Sequence, residues 1–271
     1  MIASIWKIFM LVRRDFLEEF SYRFKIFLEL LSTVTYASIF YFVAKIFSGV
    51  VPESLSKYGG DYFSFVLIGL AFTGYLNTGL NTFTTTIRNE QMLGTLEYII
   101  STPTPLSLVF TARLVWNFIY NSFTLLLYLA FGIVFLSANY PHVNWAAIPL
   151  IMILSLAAFN GLGMISAGFI LVYKRGDPIN LIFSFASMLL GGVFFPVEVL
   201  PGTLKTASSF VPMTYTLRLM RDACIEGAGF RALVPDLAVL SIICAVLVPA
   251  SFIFFSAALN KAKRDGSLTH Y

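Results

Sequence analysis

Long apolar stretches recur along the whole chain, several of them near the ~20 residues that carry an α-helix across a bilayer core of ~30 Å. Six such spans are read, at roughly Ile26–Phe47, Tyr62–Thr86, Leu106–Leu136, Ala146–Tyr173, Pro178–Phe195 and Leu233–Leu259. Composition agrees: of 271 residues 58% are hydrophobic and only 12% charged, whereas soluble domains carry roughly a quarter charged residues. Mean hydropathy is +0.82. A water-soluble enzyme is excluded, and the expected class is an all-α membrane protein with six transmembrane helices.

Ahead of the first span, Ile2, Ile5, Phe9, Val12, Phe16 and Phe20 recur at helical spacing, while Lys7, Arg14, Asp15 and Glu18 turn to other sides. That pattern predicts an amphipathic helix lying in the membrane surface over residues 1–25. It lacks the continuous apolar core and cleavage site of a signal peptide, so nothing is expected to be removed. The formal net charge is +4. Lys7, Arg13, Arg14, Arg23, Lys25, Arg88, Lys174, Arg175, Lys261, Lys263 and Arg264 fall on one side of the six crossings, against Lys57, Lys205, Arg218, Arg221 and Arg231 on the other. The bias places both termini, and the tail 260–271, in the cytoplasm. No basic run supports a nucleic-acid partner, and Cys224, Cys244, His142 and His270 form no ligand-spaced cluster for a metal.

Two connections need more than a turn. Between the last two spans, Gly191-Gly192, Pro196, Pro201 and Pro212 break the chain repeatedly. Leu200, Leu204, Ala207 and Val211, then Leu217, Met220 and Cys224, nevertheless keep helical spacing. This predicts an outer re-entrant helical hairpin at about 197–229, buried against protein because loose backbone is not tolerated in lipid. Arg218 and Asp222, four apart, are placed to pair, and Gly227 and Gly229 to end the second helix. Between the second and third spans, Arg88-Asn-Glu-Gln-Met-Leu-Gly-Thr-Leu-Glu97 is too long for a tight turn and fits a short cytoplasmic surface helix, about 88–102. In the short connection before the fifth span, Asp177 is a plausible N-cap and Pro178 a plausible first helical residue.

Within the spans, Thr73, Asn77, Asn81, Thr84 and Arg88 follow spacings of three or four and share one stripe of the second helix. A polar stripe in lipid must face protein or water, so it reads either as a translocation surface or as interhelical hydrogen bonding. Phe194, Phe195 and Met188 are candidates for an apolar constriction or for ordinary packing. The few ionised residues in spans, Glu29, Lys45 and Arg113, lie near interfaces, so no buried acidic relay for an ion-coupled carrier is evident. No phosphate-binding Gly-x-x-x-x-Gly-Lys-Ser/Thr loop, Gly-x-Ser-x-Gly elbow or His-Glu-x-x-His site occurs. Any ATP hydrolysis must come from another polypeptide.

The stretch from Arg88 to Pro103 with its Leu-Gly-Thr-Leu-Glu element, the stretch Gly191-Gly-Val-Phe-Phe-Pro-Val-Glu-Val-Leu-Pro201, and Pro212-Met-Thr-Tyr215 with Arg221 resemble the ABC type-2 exporter permeases. With the six-span layout over 26–259, the similarity covers almost the whole chain. The resemblance implies an N-terminal interface helix, a coupling helix after the second span and a re-entrant pair between the last two. It also implies two permease chains, identical or paralogous, around a central path in a prokaryotic cell membrane among its lipids, each docked on a cytoplasmic ABC ATPase. ATP and Mg would then be bound by that ATPase and no cofactor by this chain, which is not itself expected to be an enzyme. Carried over residue by residue, Arg88, Glu90, Gly94, Thr95 and Glu97 are expected to dock the ATPase. Phe40, Asn77, Asn81, Phe183, Met188 and Phe194 are expected along the path. The Phe-Phe-Pro-x-x-x-Leu-Pro stretch resembles the drug and lipid exporter branch, implying export of an amphipathic or hydrophobic substrate; a lipid-linked glycan exporter, an ion-coupled secondary transporter and a membrane enzyme are the alternatives.

Overall fold

The computed structural model describes residues 2–46, 61–92, 94, 106–136, 140, 143–173 and 177–265, and among these the regular structure is helical throughout. The helices are α1 (Ile2–Ser21), α2 (Arg23–Ile46), α3 (Tyr62–Met92), α4 (Leu106–Leu136), α5 (Ala147–Tyr173), α6 (Asp177–Leu190), α7 (Gly202–Ser208), α8 (Pro212–Cys224) and α9 (Phe230–Arg264), with a 3-10 turn at Val197–Val199. Five of them, α2, α3, α4, α5 and α9, are long and apolar enough to cross a membrane. The fifth expected span is different. Helix α6 has 14 residues, about 21 Å at 1.5 Å per residue, short of the ~30 Å hydrocarbon core.

Helix α6 stops five residues before the expected Phe195 because of Gly191 and Gly192. Gly192 adopts φ 75°, a conformation that side chains with a Cβ disfavour. A Cβ on Gly191 would stand 2.2 Å from Ser187 O and 2.6 Å from Met213 Cγ, so α8 closes directly over that turn. Helix α3 differs in the other sense and runs past Thr86 to Met92, so Arg88 and Glu90 belong to its last turns. Asp61 caps its start, accepting the Phe63 and Ser64 N–H groups at 3.1 and 3.3 Å.

Helix α5 is the centre of the bundle, with Ile151, Ala158, Phe159 and Ala167 fully buried between α3 and α9. Small residues bring the backbones together: a Cβ on Gly163 would lie 2.3 Å from Gly79 O. In lipid, such close approach replaces the hydrophobic drive between helices with dispersion contacts. One large apolar cluster joins α3 and α5 to α8 and α9 through Phe65, Phe72, Phe159, Leu217, Met220 and Leu240. A second, at the end where α3, α5 and α9 finish and α4 begins, contains Phe83, Ile87, Phe110, Met164 and Phe255. We call this the terminal end, and the opposite one, which carries α7 and α8, the hairpin end.

Two pairings depart from expectation. Asp15, expected on the polar side of α1, is only 3% exposed. Its carboxylate accepts from Arg14 at 2.9 Å and lies 3.3 Å from Arg113 Nη1 of α4. Phe16 meets Trp116 edge to face one turn along, so α1 is clamped to α4 by a charge pair and an aromatic contact side by side. At the hairpin end, Arg218 of α8 donates to Asp236 of α9 at 3.2 Å, a partner its spacing from Asp222 did not indicate. The chain leaves α8 at Cys224, before the two expected glycines, and reverses at Gly227 with φ 63°.

Candidate transport path and docking segment

Much of the polar side of α3 is left uncovered by the other described residues, although Thr84 of the stripe is buried. From Thr73 to Asn89 the residues exposed or partly exposed are Thr73, Gly74, Asn77, Thr78, Asn81, Thr82, Thr85, Thr86, Arg88 and Asn89, without one apolar side chain. Helices α2 and α4 present the opposite surface, with Phe27, Leu31, Ile39 and Phe42 exposed on one and Val115, Ile119, Phe123 and Leu126 on the other. Lipid chains suit the second kind of face and not the first.

Part of the stripe is occupied by α6. Asn180, 8% exposed, points its Nδ2 toward Asn81 Oδ1 at 3.0 Å, Thr84 Oγ1 at 3.2 Å and Leu80 O at 3.3 Å. One turn further, Ser184 Oγ donates to Asn77 Oδ1 at 2.9 Å. Asn77 and Asn81 thus serve the interhelical reading of the stripe as well as lining its open edge. Sequence reading missed Asn180 and Ser184; the signal was there, two polar residues four apart on an apolar helix, matching Asn77 and Asn81 four apart on another. On its other flank α3 is tied to α4 by Asn117 Nδ2 donating to Thr82 Oγ1 at 2.6 Å, and to α5 by Tyr75 OH donating to Met152 O at 3.1 Å.

The hydroxyls of the stripe are turned inward on their own helix. Thr73, Thr78, Thr82, Thr85 and Thr86 each donate to the carbonyl four residues before, at 2.7–3.0 Å. What the open face then offers is threonine methyl groups and oxygen lone pairs, with side-chain N–H only on Asn77, Asn81, Arg88 and Asn89.

Toward the hairpin end two of the aromatic residues expected along the path meet. Phe40 of α2 stacks on Phe194, ring centroids 5.2 Å apart and planes 12° off parallel. Phe40, Phe183, Met188 and Phe194 are all partly buried against the main apolar cluster. Behind them Arg221 of α8, 3% exposed, donates to Phe65 O at 3.2 Å and Val193 O at 3.2 Å, with its guanidinium 3.3 Å from the Phe65 ring centroid. Those bonds tie the turn after α6 to the start of α3, because a buried cation needs its donors satisfied. Tyr140, outside the spans, donates to Ser64 O at 3.3 Å. Burial first, then Cys224 and Asp61, hold its phenol well above the usual range, so it remains a donor.

At the terminal end, Arg88 is partly buried and Glu90 sits in the last turns of α3. Gly94 takes φ 67°, is exposed, and donates its N–H to Gln91 O at 3.1 Å, ending the helix in a left-handed cap. Thr95 and Glu97, and with them most of the expected 88–102 helix, lie outside the described residues.

No curated protein matches the chain. Residues 7–225, a range that includes α3 and the interrupted segment after α6, match the ABC-2 type transporter family, and the chain belongs to it.

Proposed function

We propose that this chain is the permease subunit of an ATP-driven exporter. In this reading two copies, or one copy and a paralogue, enclose a path along the α3 stripe and α6, and a separate cytoplasmic ABC ATPase docks at Arg88–Glu97. Proteins of this family normally work with such an ATPase, and their membrane component is generally not itself the catalyst. The observation that carries the proposal is the α3 face, polar from Thr73 to Asn89 in a helix otherwise buried in apolar packing. Such a face has to meet water or a second protein surface.

In this reading α6 and the turn after it make the remaining crossing, the short helices α7 and α8 form the outer hairpin, and the Lys and Arg bias supports cytoplasmic termini. ATP binding draws the ATPase subunits together, and the helical root of the docking segment passes the displacement into α3 without bending, since its backbone bonds are internally satisfied. Substrate moves outward. Back-bonded threonines turn their methyl groups to the open face, which supports an amphipathic or hydrophobic cargo.

The test is co-reconstitution of the chain with its ATPase in proteoliposomes and assay of vanadate-sensitive transport of a fluorescent amphiphile. Uphill transport by the chain alone under an ion gradient would overturn the reading. Preference for a lipid-linked glycan would overturn its cargo. Glu90→Lys and Glu97→Lys should each weaken ATPase docking with membrane insertion intact.

A further inference from the structure

Gln91 occupies the last turn of α3, at the root of the docking segment. It follows Phe83 and Ile87 at four-residue steps on one helix face, and those two belong to the apolar cluster at the terminal end. Its side chain is 2% exposed, and neither Nε2 nor Oε1 has a hydrogen-bond partner. Among the described residues it is the one side chain with two buried polar atoms so placed. Its neighbours behave differently: Met92 is 64% exposed and Gly94 is exposed, while the Gln91 carbonyl accepts the Gly94 N–H that ends the helix.

A glutamine at the rim of the bundle has an easy alternative, since one helix turn outward its carboxamide would be hydrated. Burying it with both ends unpaired disfavours the arrangement that buries it. The penalty is located where the segment that meets the ATPase joins the helix that bears the polar stripe.

We propose that Gln91 is a docking-linked switch, unpaired while the ATPase is away and hydrogen-bonded once the seated ATPase displaces the segment around Gly94. This inference rests on the docking role given above to Arg88–Glu97 and adds to it a residue that couples docking to the setting of α3. Because the carboxamide is worse off in the undocked arrangement, it raises the free energy of that arrangement and so favours docking. By linkage, removing it must stabilise the isolated chain and weaken the complex together.

The experiment compares Gln91→Met and Gln91→Leu, both close in volume and lacking a carboxamide, with the wild type in nanodiscs. The probe is the ATPase subunit that purifies with the wild-type chain, titrated with ATP and Mg present. For each variant we expect the thermal midpoint of the chain alone to rise by roughly 2–4 °C and the Kd for the ATPase to rise about tenfold. A purely structural glutamine would not give opposite signs. An unchanged Kd, or a lowered midpoint in both variants, would overturn the switch while leaving the docking role standing. If the wild-type chain binds no ATPase, the docking role fails and the switch with it.

Discussion

Replacing Asn180 by leucine removes the carboxamide that joins α6 to the polar stripe. Three acceptors lie within 3.0–3.3 Å of its Nδ2, but the group has two hydrogens, so at most two full bonds are lost. Interhelical side-chain hydrogen bonds in membrane proteins contribute about 0.6 kcal/mol on average and about 1.7 at most. Two therefore amount to about 1–3 kcal/mol. Leucine also removes Asn180 Oδ1, which is buried without a partner, and that relief offsets part of the loss. The single variant should thus cost only about 1 kcal/mol, and the decisive quantity is the coupling to Asn81. In a cycle with Asn81→Leu, measured by unfolding from mixed micelles, the 3.0 Å Asn180–Asn81 bond predicts a coupling of about 0.6–1.7 kcal/mol. Unconnected sites add within about 0.3–0.5 kcal/mol. Coupling below that would refute the claim that the two asparagines fasten α6 to α3. Loosening α6 should also uncouple ATP hydrolysis from transport, so the ATPase rate of the complex should outlast its transport rate in Asn180→Leu.

Gly191→Ala should lower stability by about 1–3 kcal/mol, because its Cβ has Ser187 O at 2.2 Å and Met213 Cγ at 2.6 Å. Gly202→Ala, with nothing within 4 Å of its Cβ, should leave the thermal midpoint nearly unchanged, and equal effects of the two would contradict the tight turn. Asp15→Asn should break the 3.3 Å ion pair that holds α1 to Arg113, at a cost of about 1 kcal/mol for a pair whose guanidinium is partly exposed, and is read as faster protease cleavage at Tyr22 between α1 and α2. Cysteines placed at Ser137 or Ala138 should label from outside intact cells and one at Ser267 only after permeabilisation; the reverse pattern would reject the orientation.

What is legible in the sequence follows from properties that are local along the chain. Five helices long and apolar enough to cross a membrane were legible, because a bilayer demands a long apolar helix wherever the chain crosses and that requirement is written residue by residue in hydropathy. The short helices α7 and α8 came through by apolar spacing between prolines. Ends of elements were less legible. Helix α3 overran Thr86 because nothing between there and Met92 breaks a helix, and α6 fell short because Gly191 must admit Met213 from a helix more than twenty residues on.

The candidate path divides in the same way. Asn77 and Asn81 could be picked out alone, since two carboxamides four apart in an apolar helix already require a partner. That the partners are Asn180 and Ser184 depends on which helix lies alongside. Arg218 shows the same limit: its spacing pointed to Asp222, four residues away, whereas the fold brings in Asp236 from the next helix. Sequence by itself thus determined that this is a helical membrane protein, and which residues within its spans are too polar to meet lipid. Only the tertiary structure decided which of those polar groups satisfy one another and which are left open for something else, because a hydrogen bond depends on position in space and not on distance along the chain.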